Sequence, residues 1–151
     1  QNCAARLVTL TPRRAHITPV LKELHWLPAE YRPRYKVLLL TYKALQGQAP
    51  SYLSDMLTVY QPTRTLRSSN RSLLEVPRAR TSHGKRTFRY ASAVLWNDLP
   101  QHVKTASSVT SFKKLLKTHL FKLAYSLWLS DNILQCSICD SSHDIYELVV
   151  L

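Results

Sequence analysis

Apolar positions in this chain recur mostly at steps of three and four, the period of a helix with one buried side. Residues 3–9 read as the closing turns of a helix. Thr18 followed by Pro19 reads as a helix start, a capping hydroxyl ahead of a proline in the first turn. Val20, Leu21, Leu24 and Leu27 follow at helical spacing until Pro28. Residues 29–46 form the longest apolar segment. Residues 37–40 alone fit a buried strand. However, Tyr31, Tyr35, Leu38, Tyr42 and Leu45 fall at steps of four, three, four and three, which decides for helix. Arg32, Lys36 and Lys43 lie together beside that face, and Gly47 supplies the stop. Pro33 fits only if the helix begins near Arg32, which puts the helical contact of Tyr31 in doubt. A shorter helix is expected over residues 51–58, after Pro50.

From Tyr60 to Arg89 the periodicity weakens, and Ser, Thr, Asn and Arg dominate. Leu73, Leu74 and Val76 fit a short strand, and residues 87–90 fit another, with Ser82, His83 and Gly84 turning between them. Residues 91–96 read as one or two helical turns, stopped by Asn97, Asp98 and Pro100. Ser107 or Ser108 then caps an amphipathic helix from Val109 to about Ser126, with Val109, Phe112, Leu116, Leu120, Leu123 and Leu127 as its stripe. Lys113, Lys114, Lys117 and Lys122 lie off that stripe. The expected fold is mainly α: several short helices and a small β element in the basic central stretch. Trp26, Trp96 and Phe112 are the expected packing anchors. The expected organisation is a basic helical domain over residues 1–125 and an acidic, apolar tail of unassigned structure over residues 126–151.

Composition supports helix. The chain has 2 glycines among 151 residues, where average usage would give about ten. That scarcity argues against glycine-rich phosphate loops, and the 8 prolines divide the helices into short pieces. Charge changes the picture more. Net charge is +12, but residues 126–151 hold four acids and no Lys or Arg. Residues 1–125 therefore hold all 21 basic residues against five acids (9 − 4), a balance of +16. Such an imbalance points to a polyanionic partner, nucleic acid first. No stretch has the apolar length of a membrane span, and the first twenty residues lack the apolar core of a secretory leader. Three cysteines do not make a disulfide framework. A reducing compartment, nucleus or cytoplasm, is expected.

Arg64, Arg67, Arg71, Arg78, Arg80, Lys85, Arg86 and Arg89 have one acid among them, Glu75. Guanidinium forks match phosphate geometry, so these eight are the first candidates to track a nucleic-acid backbone. Arg32, Lys36 and Lys43 are the second set. The tyrosines beside them read first as core and second as base-stacking platforms. Cys136, Cys139 and His143 have the spacing of three zinc ligands, but a structural site needs four, and the set reads as incidental. His119 reads as a partly buried core residue. No catalytic residues and no cofactor are expected. The aspartates are scattered, with no adjacent pair to hold two metal ions, and no Walker, GxSxG or HExxH pattern occurs.

Several blocks carry a resemblance. Residues 1–9 (QNCAARLVT), 16–21 (HITPVL), 24–28 (LHWLP), 31–32 (YR), 36–45 (KVLLLTYKAL), 49–55 (APSYLSD), 66–69 (LRSS), 76–78 (VPR), 93–100 (AVLWNDLP) and 111–121, which opens Ser111-Phe112-Lys113, stand in this order. Together they resemble the region downstream of the polymerase domain in LINE-type (non-LTR) retrotransposon reverse transcriptases, the Jockey-like group above all. The resemblance covers about residues 1–125. Pro33 departs from it, standing where the family usually has an apolar residue, and the segment after Ser126 matches nothing in it. The resemblance implies a parent RNA-directed DNA polymerase whose catalytic domains lie upstream. It also implies a C-terminal segment that helps to hold template RNA or target DNA. The expected function is thus non-catalytic nucleic-acid binding through phosphates, with the upstream polymerase domain as a further partner and no membrane. The alternatives are a helical protein-interaction module, docking through the stripe of residues 109–127, or a non-functional retrotransposon relic.

Overall fold

The computed structural model describes residues 1–62 and 72–131, with side chains to Tyr125. Among them are eight helices: α1 (Asn2–Thr9), α2 (Ile17–Glu23), α3 (Tyr31–Leu45), α4 (Ser51–Asp55), α5 (Ser82–Arg86), α6 (Phe88–Asp98), α7 (Gln101–Lys104) and α8 (Val109–Asp131). The protein is mainly α-helical, as the periodicity indicates.

The main core lies where α6 and α8 pack on α3. Leu38 and Tyr42 of α3, Ala93 and Trp96 of α6, and Phe112, Leu116 and Leu120 of α8 are buried together. Tyr42 stacks on Phe112 with ring centroids 4.1 Å apart, and Trp96 tilts against the same ring at 6.2 Å. Small residues make the approach of α6 to α3 possible, since Ser92 and Ala93 are essentially inaccessible. The polar atoms of the large aromatics are satisfied. The Tyr42 hydroxyl donates to the Ala106 carbonyl (2.7 Å), and the Trp96 indole N–H donates to the Ser72 carbonyl (2.9 Å). Burying an aromatic side chain of this size contributes roughly 1.5–3 kcal/mol, and each ring pair adds about 0.5–1.5 kcal/mol. Trp96 and Phe112 are therefore the anchors their size suggests.

A second, smaller core joins the α1–α2 pair to the far half of α8, through Ala5, Val20, Leu21, Ala124 and Tyr125. Tyr31 packs against both cores. It does so because α3 begins at Tyr31, one residue before the expected start, after a turn in which the Tyr31 amide donates to the Pro28 carbonyl. Pro33 then occupies the third helical position. Amides of the first turn have no intrahelical acceptor, so its missing N–H removes nothing.

Helix ends follow local chemistry. Ser108 caps α8, its Oγ accepting from the Ser111 amide (3.1 Å), and Thr81 caps α5, accepting from the Gly84 amide (3.0 Å). The cap of α2 is His16, not Thr18: its Nδ1 accepts from the Thr18 amide, and Thr18 itself lies within the first turn. Gly47, at φ 67°, closes α3, with the Gly47 and Gln48 amides returning to the Ala44 and Lys43 carbonyls. His25, at φ 53°, closes α2 in the same way, its own amide and that of Trp26 returning to Lys22 and Leu21. This paired closure favours glycine; α2 forms it with histidine in the left-handed region.

The β element is one antiparallel bridge between Val59 and Leu74. The Tyr60 amide donates to Leu73, and the Glu75 amide donates to Thr58. On the other side of Leu74 the Asn97 side chain acts as a second strand would. Its Oδ1 accepts from the Leu74 amide and its Nδ2 donates to the Leu74 carbonyl, both at 2.8 Å. The expected strand at residues 87–90 is instead the start of α6, and the expected turn at residues 82–84 lies in α5. Thr87, Phe88 and Tyr90 favour strands as residue types, but burial of Ala91, Ser92 and Trp96 on one helical face sets the period here. Two further boundaries move. The helix after Pro50 stops at Asp55, and α8 runs past Ser126 to Asp131. The α8 stripe also rotates, leaving Leu123 exposed and burying Ala124 and Tyr125.

Candidate nucleic-acid interface

An open groove of about 770 Å³ lies where α1, the α2–α3 turn, α3 and α8 meet. It is lined by Gln1 and Ala4, by His25, Trp26 and Leu27, by Arg32, Tyr35 and Lys36, and by Lys117. No acidic residue lines it. Arg32, Tyr35 and Lys36 share one side of α3 because they stand three and four residues apart. Lys117 reaches the groove because its neighbour Leu116 is buried in the main core, which turns the next position of α8 outward.

The wall made by the α2–α3 turn is fixed at three points. The His25 ring stacks on Phe121 of α8, with centroids 5.7 Å apart and planes 14° from parallel. The Tyr125 hydroxyl donates to the Trp26 carbonyl (2.6 Å). The Gln1 side-chain amide donates to the Leu27 carbonyl (2.7 Å). Each tie joins residues remote in the chain, so the turn is held by tertiary structure and presents Trp26 in one place. Burial pushes the phenols of Tyr35 and Tyr125 up from their ordinary value. Both therefore stay neutral, and Tyr125 keeps the proton it donates.

The described cations among those expected from sequence divide into three groups. Arg32 and Lys36 are exposed and meet in the groove, joined by Lys117, which the sequence placed off the α8 stripe without pairing it to α3. Lys43 is half-buried in the last turn of α3 and does not line the groove. It stands about 10 Å along the axis from Lys36 at 1.5 Å per residue, where a cation complements the helix C-terminus. Arg78, Arg80, Lys85 and Arg89 are exposed and Arg86 is half-buried, in and around α5 and the start of α6; none lines the groove. Arg64, Arg67 and Arg71 lie outside the described residues, as do Cys136, Cys139 and His143.

Other charged groups have structural employment. The Arg6 guanidinium donates to the Pro12 and Ala15 carbonyls and shapes the α1–α2 loop. Arg34 sits 5.4 Å over the Tyr31 ring. Lys104 is buried and donates to the Asn97 carbonyl at the end of α6 (3.1 Å). His119 is half-buried, as expected. Burial lowers its pKa first, His102 and Lys122 lower it further, and Asp98 acts in the opposite sense. Among the described residues no group of three His, Cys, Asp or Glu side chains comes together to hold a metal ion, and no described helix is long and apolar enough to cross a membrane.

Neither a protein-family model, nor a curated protein, nor a solved structure matches this chain.

Proposed function

We propose that the chain is a non-catalytic nucleic-acid-binding segment, the C-terminal part of a LINE-type retrotransposon reverse transcriptase. The family reading rests on the ordered sequence blocks. The binding reading rests on one observation above all: Arg32, Lys36 and Lys117 converge on a groove that no carboxylate lines. Three cations facing a common space attract phosphates more strongly than the same charges dispersed. Arg78, Arg80, Lys85 and Arg89 extend the cationic surface outside the groove. Phosphate contacts of this kind give affinity and orientation without reading sequence. RNA or DNA is the partner, with the upstream polymerase domain as a second contact.

Docking of another protein on the α8 stripe is the weaker reading, because Phe112 and Leu116 are fully buried within the chain itself. Fluorescence anisotropy of a labelled oligonucleotide across a salt series tests the proposal. With about 4–6 phosphate contacts, log affinity should fall with log salt at a slope of about −3 to −4 on single strands. A flat salt response refutes it.

A further inference from the structure

The groove has a second chemical character besides charge. Trp26, packed on the second core, and Tyr35, packed on the main core, are half-buried and also line the groove beside the three cations, as does His25, whose ring is stacked on Phe121. Backbone tracking alone needs cations and amides on an open surface. It does not need aromatic rings held beside them in a recess. A paired duplex keeps its base faces stacked internally and offers a protein its phosphates and base edges. Only an unpaired base can leave the stack and lay its face on an aromatic ring. The size agrees: about 770 Å³ falls in the range of roughly 300–1,000 Å³ typical of pockets that enclose small molecules. That is room for on the order of one or two nucleotides.

The turn that carries Trp26 is also held by contacts with residues remote in the chain. The backbone carbonyls of Trp26 and Leu27 are tied to Tyr125 and Gln1, and His25 is stacked on Phe121. A fixed aromatic wall lowers the ordering cost of binding. Resting on the nucleic-acid reading above, we infer that this groove selects single-stranded nucleic acid. An unpaired base lodges against Trp26 and Tyr35 while its flanking phosphates meet Arg32, Lys36 and Lys117. Stacking is the selective contact, and the cations supply attraction common to any strand.

The test uses the full chain and three labelled probes of about 10 nucleotides, within the known span of single-strand sites: an intact single strand, the same length of abasic sugar–phosphate strand, and a blunt duplex. The intact strand should bind more tightly than the abasic one by roughly five- to 150-fold, the range of one stacked base. Trp26→Ala should remove that preference, so that intact and abasic strands bind alike. Trp26→Phe, which keeps an aromatic face, should retain most of it. The abasic comparison on the unaltered chain stands even if Trp26→Ala does not fold, which circular dichroism reports. Equal binding of all three probes overturns stacking selectivity and leaves phosphate binding intact. An intact-strand preference that survives in folded Trp26→Ala overturns this groove as the selective site. No binding of any probe at low salt overturns both proposals.

Discussion

Two regions of the molecule are rich in cations, and they are built in opposite ways. The segment from Arg78 to Arg89 is dense in charge along the chain, and four of its five cations are exposed around α5 and the start of α6. The groove has fewer cations, drawn from α3 and from α8, about eighty residues apart in sequence. Yet the groove's cations converge on a shared recess with aromatic residues beside them, which the described cations of the segment do not line. The segment's charges are neighbours because they are consecutive, whereas the groove's are neighbours because Leu38 and Leu116 are buried in one core and turn the adjacent positions outward. Density along a chain governs long-range attraction, and convergence in space governs what can be held.

The largest expected effect tests whether the groove depends on that core. Phe112→Ala removes the ring against which Tyr42 and Trp96 pack, and should cost about 3–5 kcal/mol in urea unfolding. A cost under about 1 kcal/mol would show that α3 and α8 are not fixed through this contact. Next comes the direct contrast. Neutralising Arg32, Lys36 and Lys117 together should flatten the salt slope on single strands by about 2 and weaken binding roughly tenfold to a hundredfold. Replacing Arg78, Arg80 and Lys85 with acidic residues should weaken RNA binding too, but leave any preference for single strands over duplex unchanged. If both triple variants change affinity and preference alike, the distinction between the regions collapses.

Asn97→Ala probes the tether of the basic segment. It strips both side-chain hydrogen bonds from the buried Leu74 backbone and should cost about 1–3 kcal/mol, with chemical shifts moving near Leu74 more than near Trp26. A chemical-shift response centred on the groove instead would mean the regions are coupled. The smallest effect concerns pH. The His119 pKa is lowered in the fold, so between that value and the ordinary histidine range the unfolded chain binds more protons. Its contribution is present above about pH 6.5 and diminishes as pH falls below that. Thermal unfolding of His119→Gln should lose less stability from pH 7 to pH 5 than the parent chain; an identical pH profile would contradict the burial argument.

Much of the helical content can be read from local pattern. The face of α3 carrying Tyr35, Leu38 and Tyr42, the Ser108 cap and the Gly47 stop are each set by residues within a turn or two. Local pattern fails where long-range contacts dominate. Residues 87–90 look like a strand by type yet enter α6, because that helix buries Trp96 and uses Asn97 to grip Leu74. Leu123 and Ala124 exchange expected roles because the second core, not the first, receives that part of α8. The site was half visible. Arg32 and Lys36 stand out beside the tyrosine face, but Lys117 looks like any solvated lysine until α8 is laid against α3; Trp26 packs against the second core as expected, yet its spacing gives no sign that it also borders the groove.

By itself the sequence determined the helix-rich class, most element positions, the strongly basic balance of the first 125 residues and the set from which any phosphate contacts must come. These follow from periodicity, capping and composition, which act over a few residues or over the whole chain without regard to arrangement. Tertiary structure alone decided which cations face one another, that Trp26 and Tyr35 line the same recess, and that the α2–α3 turn is pinned by Gln1, Phe121 and Tyr125. The physical reason is that these relations arise from side-chain packing between segments remote in the chain, and no local spacing encodes the register in which α3 and α8 meet.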